Sequence, residues 1–445
     1  MTTMDIASRP DTAGSGAQEI ALLRLATAGS VDDGKSTLVG RLLYDTKTVL
    51  SDQLDAVARV SRERGLAATD LALLTDGLRA EREQGITIDV AYRYFATPRR
   101  RFILADTPGH VQYTRNMVTG ASTAQLAVIL VDARHGVVEQ TRRHAAIAAL
   151  LKVPHVVLAV NKMDLAGYSE SVFAAIAAEF GDYAVALGAP PATAIPISAL
   201  MGDNVVDGSG TMPWYRGPTL IEHLETVDAH ENPAGQHARF PVQYVLRPQS
   251  GDEFRDYRGY AGRLVSGVLR TGDEVVVLPS GERSVIAGID RLGRRDVGVA
   301  CAPQSVTLRL ADDVDVARGD VIAPVTGAPA TTREVTATVC HVAERPLRAG
   351  DRVLVRHGAA VVTAVVRRID FRLDIDDLDR ADGPAALVTN EMGQVALRLG
   401  EPLPLDAYTD NRHTGSFLII DPDDGATLAA AMNGPLGAGF AGRRT

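Results

Sequence analysis

The distribution of apolar and polar positions divides the chain into two parts. In the first part, apolar runs typical of buried strands, such as 102–105 and 156–160, end at polar residues. The segment 37–43 has the apolar spacing of a helix, and it follows directly on a strand pattern at 20–27 and a short loop. Strand patterns mixed with helical ones predict an α/β domain.

The second part of the chain consists of short β-branched segments separated by glycine and proline. Regular strand spacing with turn residues at the junctions predicts small barrels, and a second all-β block begins near Thr331. The expected architecture is therefore one α/β domain followed by two small all-β barrel domains. The predicted bounds are a disordered N-terminal tail at 1–18, the α/β domain at 19–230, barrels at 238–328 and 331–425, and a C-terminal tail at 426–445.

The loop between the first strand and helix has the sequence G-S-V-D-D-G-K-S-T, which matches the phosphate-binding pattern G-x-x-x-x-G-K-[ST]. Its glycines let backbone N–H groups surround a β-phosphate, and the helix start adds partial positive charge. Lys35 should reach the β- and γ-phosphates as a catalytic residue, and Ser36 should ligate Mg²⁺. The α/β domain is thus predicted to be a P-loop domain that binds a nucleoside triphosphate through Gly29, Ser30, Val31, Asp32, Asp33, Gly34, Lys35, Ser36 and Thr37.

The segment N-K-M-D, which follows the strand pattern at 156–160, predicts that the base is guanine. A carboxylate at Asp164 can accept from both the N1–H and the exocyclic amine of guanine, a pair of donors that adenine does not offer. Asn161 should tie the loops around the base together, and the stem of Lys162 should lie over the purine face. A further strand ends in S-A-L, where backbone contacts with guanine O6 are expected. The predicted base site consists of Asn161, Lys162, Met163, Asp164, Ser198, Ala199 and Leu200.

A second set of residues is expected around the γ-phosphate. Asp106 ends the apolar run 102–105, where the metal-side acid of a P-loop enzyme belongs. Gly109 lets its backbone N–H approach the phosphate, and His110 is placed to orient the attacking water. Thr87 is the candidate second protein ligand of Mg²⁺, in a loop that the γ-phosphate would order. The predicted contacts are Asp106, Thr107, Pro108, Gly109 and His110, with His110 catalytic and with Ser36, Thr87 and Asp106 at the metal.

Taken together, these motifs resemble those of the translation-factor class of GTPases, which includes elongation factor Tu. The segments D-T-P-G-H, N-K-M-D and G-I-T-I carry that resemblance. The P-loop variant and the segments 76–95, 105–124, 140–144 and 408–417 resemble more narrowly the GTPase subunit of bacterial sulfate adenylyltransferase. This second resemblance covers nearly the whole chain.

The narrower resemblance implies a GTP-hydrolysing enzyme subunit of sulfate assimilation that uses GTP and Mg²⁺. In that family, GTP hydrolysis is coupled to the synthesis of adenosine 5′-phosphosulfate (APS) and pyrophosphate from ATP and sulfate. The resemblance also implies a hetero-oligomer in which a smaller adenylyltransferase subunit performs the adenylyl transfer. The alternative is a translation-type factor that acts on RNA or the ribosome, for which the shared architecture is fold-level analogy alone.

Composition and charge argue against several other classes of function. No apolar run reaches the ~18–20 residues of a membrane span, and residues 1–18 lack the apolar core of a secretion signal. The net charge of −9 argues against broad nucleic-acid binding, and the basic run 99–101 is expected to be a solvated turn. Cys301 and Cys340 are too far apart for a metal clip, and we expect both to be reduced. We therefore expect a cytoplasmic protein with neither membrane nor nucleic-acid partners.

Overall fold

The described part of the chain folds as three consecutive domains, seen here in a computed structural model. None of the described helices is long and apolar enough to cross a membrane. Four predicted site residues, Thr87, Pro108, Gly109 and His110, and the predicted tail at 1–18 lie outside the described residues. The structure describes residues 21–48, 51–63, 71–74, 90–107, 114–229, 233–248 and 257–436.

A six-stranded sheet forms the centre of the first domain. Its strands are β1 (Leu22–Ala28), β2 (Ala91–Ala96), β3 (Arg101–Asp106), β4 (Leu126–Asp132), β5 (His155–Asn161) and β6 (Thr193–Pro196). They lie in the order β2-β3-β1-β4-β5-β6, and all neighbours are parallel except β2 and β3. Strand β4 is buried along its whole length, as expected of a central strand with both faces covered.

Helices cover this sheet and form two apolar cores with it. The last helix of the domain begins where its sequence requires, because Thr219 and Glu222 form a reciprocal capping box. Arg100 is buried and donates to the carbonyls of Leu224 and Val227 at the end of that helix, so the prediction of a solvated turn is wrong at this residue. The described helices are α1 (Lys35–Asp45), α2 (Ser51–Glu63), α3 (Thr114–Ser122), α4 (Glu139–Leu150), α5 (Glu170–Ala186) and α6 (Leu220–Thr226), with 3₁₀ turns at Leu71–Leu74, Met163–Ala166 and Pro233–Gly235.

The described part of the second domain contains eight strands, six of which form a closed barrel. Its strands are β7 (Phe240–Leu246), β8 (Gly259–Arg263), β9 (Val268–Arg270), β10 (Glu274–Leu278), β11 (Glu282–Asp290), β12 (Val299–Cys301), β13 (Ser305–Leu310) and β14 (Val321–Pro324). The barrel closes in the order β10-β11-β13-β8-β7-β14, and β9 pairs with β12 beside it. Closure leaves no free strand edge in this ring, and apolar side chains from its strands fill the interior.

The third domain is a second closed ring of strands. Its strands are β15 (Ala330–His341), β16 (Leu347–Arg348), β17 (Arg352–His357), β18 (Ala360–Leu373), β19 (Arg380–Asp382), β20 (Ala386–Leu387), β21 (Met392–Leu405), β22 (Ser416–Ile420) and β23 (Thr427–Asn433). The order β17-β22-β23-β15-β21-β18 closes through pairing of β17 with β18. An α/β domain followed by two all-β barrels is the fold class that the sequence predicted, and it is confirmed.

The predicted C-terminal tail at 426–445 begins too early. Strand β23 pairs with β15 and β22, so residues 427–433 belong to the third domain. Leu428, Ala429 and Ala431 of this strand are buried in the barrel core. The alanine-rich sequence hid the strand, because alanine is depleted in strands and lacks the β-branched signal.

The segment between β21 and β22 joins all three domains. The hydroxyl of Tyr408 donates to the carbonyl of Leu151 in the first domain at 2.9 Å. The amide of Asn411 donates to the hydroxyl of Ser266 in the second domain at 3.0 Å. Apolar residues of the third domain also belong to one of the two cores of the first, so the third domain packs against the α/β domain.

Candidate functional site

The loop 29–34 connects β1 to α1 at the carboxyl edge of the sheet. Gly34 has a φ of 91°, and a Cβ there would lie 2.5 Å from Nδ2 of Asn161. Only glycine fits this left-handed position, since any side chain would add strain and a clash. The buried carboxylate of Asp33 accepts from the backbone N–H of Ser30, which fixes the turn. The loop conformation therefore follows from its own sequence and from Asn161.

Lys35 is the first residue of α1, and its side chain folds back over the loop. Its Nζ donates to the carbonyl of Gly29 at 2.8 Å and to that of Ser30 at 3.1 Å. Burial lowers the pKa of this ammonium below its usual value, and the carboxylates of Asp106 and Asp33 oppose that shift. Ser36 lies beside it in the first helical turn, whose N–H groups have no partner within the helix. A buried cation and free N–H groups make this an anion-binding end of the helix.

Asn161 links three loops around the expected base. Its Nδ2 donates to the carbonyl of Asp33 at 2.7 Å, and its Oδ1 accepts from the backbone N–H of Ala199 at 2.9 Å. The next residue, Lys162, has a φ of 63° and donates through Nζ to the carbonyl of Asp32. The loops after β1, β5 and β6 are thus held together by one buried amide.

Asp164 lies at the mouth of these loops, partly exposed. Its Oδ1 accepts from the hydroxyl of Ser198 at 2.7 Å, which orients the carboxylate. Leu200 is 55% exposed beside it, whereas Met163 is fully buried and packs in the core of the domain. Met163 therefore serves the fold rather than a surface that a ligand could touch.

The backbone N–H groups of Ser198 and Ala199 already have partners within the chain. That of Ser198 donates to the carbonyl of Asp203 at 3.1 Å, and that of Ala199 to Asn161. If either N–H group also donated to guanine O6, its hydrogen would be shared between O6 and the present partner. The clearer contribution of Ser198 is its hydroxyl, which sequence reasoning did not anticipate.

Asp106 ends β3 next to the P-loop strand. Its Oδ1 accepts from the hydroxyl of Thr27 at 3.1 Å, and the hydroxyl of Thr107 donates to the carbonyl of Thr27 at 2.6 Å. Both Asp106 and Thr107 are buried. Within the described ranges, no three His, Cys, Asp or Glu residues cluster as a metal site. The described residues that were predicted to ligate Mg²⁺ are Asp106 and Ser36. Their carboxylate and hydroxyl are hard oxygen ligands that suit Mg²⁺ when phosphate oxygens and water complete its shell.

Two residues of the site were missed from the sequence. Asp132 ends β4 directly opposite Asn161 and contacts Lys162 at 3.0 Å. Arg41 of α1 donates to the carbonyls of Ala199 and Leu200 and so supports the loop after β6. Asp132 could have been predicted from the sequence, because it is a carboxylate at the end of a buried strand, as Asp106 is. The role of Arg41 could not have been predicted from the sequence, because the carbonyls that it contacts lie more than 150 residues away.

The predicted residues at 29–37, 106–107, 161–164 and 198–200 meet at one edge of the sheet. A cleft of about 680 Å³ lies elsewhere, on the second domain, and is lined by Tyr257, Asp290 and Arg294 among others. It shares no residue with the loops described above.

Comparison with known proteins agrees with this geometry. The family model for the elongation factor Tu GTP binding domain matches residues 21–233, and that for the GTP-eEF1A C-terminal domain-like family matches residues 334–433. The chain is 57% identical over 412 residues to the bifunctional enzyme CysN/CysC of Mycobacterium tuberculosis, covering 92% of this chain and 67% of that protein.

Proteins named sulfate adenylyltransferase subunit 1 are also close relatives. The Bacteroides fragilis protein is 48% identical over 413 residues, covering 92% of this chain and 85% of the relative. The Shewanella oneidensis protein is 48% identical over 421 residues, covering 93% and 86%. The chain therefore belongs to the sulfate adenylyltransferase subunit 1 family, whose first domain is of the elongation factor Tu type.

Proposed function

We propose that this chain binds and hydrolyses GTP as one subunit of a sulfate adenylyltransferase. The observation that carries the proposal is the buried amide of Asn161, which joins the phosphate loop to the loop that carries Asp164 and to the loop after β6. A phosphate cradle and a base-reading carboxylate thereby become one rigid site. Family membership supplies the pathway in which that site works.

Asp164 is the residue that selects guanine. Ser198 occupies one of its oxygens through a hydrogen bond at 2.7 Å and so holds the carboxylate in one orientation. The carboxylate then accepts from the N1–H and the exocyclic amine of guanine. The stem of Lys162 covers one face of the purine, and the exposed side chain of Leu200 is available to the other.

The residues around the phosphates fit Mg²⁺ and GTP. Ser36 and Asp106 hold the metal, and Thr87 is its further candidate ligand. Bound Mg²⁺ supplies positive charge that offsets the charge developing on the transferred phosphoryl group. Lys35 lies against the loop carbonyls, from which its ammonium can turn to the β- and γ-phosphates. His110 orients the attacking water. The backbone N–H of Gly109 approaches the γ-phosphate, so this loop responds to the presence of that phosphate.

The partner of this chain is a smaller adenylyltransferase subunit. That partner joins ATP and sulfate, with the sulfate oxygen attacking the α-phosphorus and pyrophosphate leaving, to give APS. The present chain contributes GTP turnover. The proposal rests on the name that its relatives share, subunit 1, which requires at least one further subunit.

The change Asp164→Asn tests the nucleotide assignment. An amide replaces one acceptor with a donor, so GTP should lose about 1.5–3 kcal/mol of binding free energy, which corresponds to roughly 10- to 150-fold in Kd. Xanthosine triphosphate should become the preferred ligand, because its O2 can accept from the new donor. Calorimetric titration with both nucleotides measures the change.

Asp203→Asn is the matched control, because this carboxylate lies in the neighbouring loop after β6 and accepts from Tyr168 and Ser209. We expect that variant to keep its preference for GTP. Unchanged GTP preference in Asp164→Asn would show that this residue does not read the base.

A further inference from the structure

Asp132 is a buried carboxylate beside the guanine loops that no motif accounts for. It ends β4, pairs in register with Asn161, and its side chain is only 1% exposed. We propose that Asp132 is a positioning residue for nucleotide binding, which anchors the ammonium of Lys162 so that the lysine stem stays fixed against the purine. This inference rests on the proposed function, since it assigns a role within the same guanine site.

The contacts of Lys162 support this role. Its Nζ lies 3.0 Å from Oδ2 of Asp132 and also donates to the carbonyl of Asp32 in the P-loop. The lysine side chain has a flexible four-carbon stem, which would otherwise sample many rotamers. These two acceptors hold the ammonium of Lys162 and thereby restrict the rotamers of its stem. A fixed stem offers a preorganised apolar surface to the base, and preorganisation lowers the entropic cost of binding.

Both oxygens of Asp132 contact Arg134, and Oδ2 also contacts Lys162. Oδ1 accepts from the backbone N–H of Arg134 at 2.9 Å and from its Nε at 3.0 Å, which stabilises the turn after β4. Oδ2 accepts from Nη2 of Arg134 at 2.6 Å and from Lys162. Burial alone would raise the pKa of Asp132, but the hydrogen bonds from Arg134 and Lys162 outweigh it and hold this pKa well below its usual range. The carboxylate is therefore charged at neutral pH.

The variant Asp132→Asn replaces the oxygen that contacts both Lys162 and Nη2 of Arg134. Asp132→Asn keeps Oδ1 for the turn but places an amide N–H₂ opposite the lysine ammonium, so the contact is lost. The fold should survive, because the freed cations of Arg134 and Lys162 are 43% and 22% exposed and can turn to solvent. Thermal unfolding of the variant checks this before binding is measured.

The test is a double-mutant cycle between Asp132→Asn and Lys162→Met, read as the Kd of GDP and of GTP. We expect Asp132→Asn to raise both values about tenfold, because the base is common to the two nucleotides. The double variant should bind no more weakly than Lys162→Met alone. At saturating GTP, the kcat of Asp132→Asn should differ from that of the unaltered chain by less than about twofold, since the contact is remote from the γ-phosphate.

Arg134→Ala is the control, because it removes the guanidinium that contacts Asp132 and leaves the contact with Lys162. It should change either Kd by less than about threefold. The inference is overturned if the effects of Asp132→Asn and Lys162→Met multiply, or if Arg134→Ala weakens binding as much as Asp132→Asn. Failure of the unaltered chain to prefer guanine over adenine nucleotides would instead overturn the proposed function.

Discussion

At the scale of single residues, the tautomer of His144 follows from its neighbours. Arg143 donates to Oε1 of Gln140, so the amide nitrogen of Gln140 must donate to Nε2 of His144, 3.0 Å away. The proton of the neutral ring therefore lies on Nδ1, which has no hydrogen-bond partner among the described residues. Burial, aided by the charges of Lys35 and Arg143, lowers the pKa of His144 to about 3.

This shift predicts that acid destabilises the protein through His144. Below its unfolded-state pKa of about 6.5, the unfolded chain binds a proton that the folded chain does not, so the free energy of unfolding falls as the pH drops from 6.5 toward 3. Between pH 7.5 and pH 5, the loss from this residue should be about 2 kcal/mol. Urea unfolding at both pH values should show that His144→Gln loses less of its free energy of unfolding than the unaltered protein does. An equal loss in both proteins would rule out this role.

Residues whose chemistry is local were predictable from the sequence. The P-loop glycines, Asn161 and Asp164 come together as expected because the carboxyl ends of parallel strands share one edge of the sheet. Met163 lay within a binding motif, yet its side chain faces the core, since a motif does not state which of its members point inward. The hydroxyl of Ser198 and the carboxylate of Asp132 act through partners that only the fold supplies.

At the scale of elements, hydrogen bonds from Arg100 connect α6 to the hairpin of β2 and β3. Its Nη1 donates to the carbonyls of Leu224 at 3.0 Å and Val227 at 2.7 Å, which lie at and just beyond the helix C-terminus. Arg100→Ala should lower the free energy of unfolding by about 2–4 kcal/mol, because two bonds from a buried cation are lost.

Arg99 provides the control for this prediction. Its side chain is 70% exposed and lies 3.5 Å from Glu225, so Arg99→Ala should change stability by less than about 1 kcal/mol. Chemical denaturation of both variants measures the difference. Equal effects at the two positions would mean that Arg100 behaves as a solvated residue.

The elements also show where sequence patterns fail. Arg100 lay in a basic run next to a strand, and its partners are more than 120 residues away, so nothing local revealed its burial. Strand β23 was hidden because its alanines fit a crowded barrel interior without the β-branched residues typical of strands. In both cases tertiary packing, rather than local preference, decides the outcome.

At the scale of the whole molecule, the segment 406–414 connects the nucleotide domain with both barrels. Asp406 forms a bidentate pair with Arg239 of the second domain, with both contacts at 2.8 Å, while Tyr408 reaches the first domain. These contacts include buried groups from each domain. This segment therefore contacts the first domain at Leu151 and the second domain at Arg239. The resemblance in sequence marked 408–417 as distinctive, but its position at the junction required the fold.

We propose that GTP turnover in this chain drives APS formation by the partner subunit. The most direct measurement is the steady-state APS level in the reconstituted complex at fixed ATP, sulfate and pyrophosphate, with GTP compared against a non-hydrolysable analogue. The account predicts a higher APS level with GTP, because only hydrolysis releases free energy that can shift the reaction. An APS level with GTP that never exceeds the level with the analogue would contradict it.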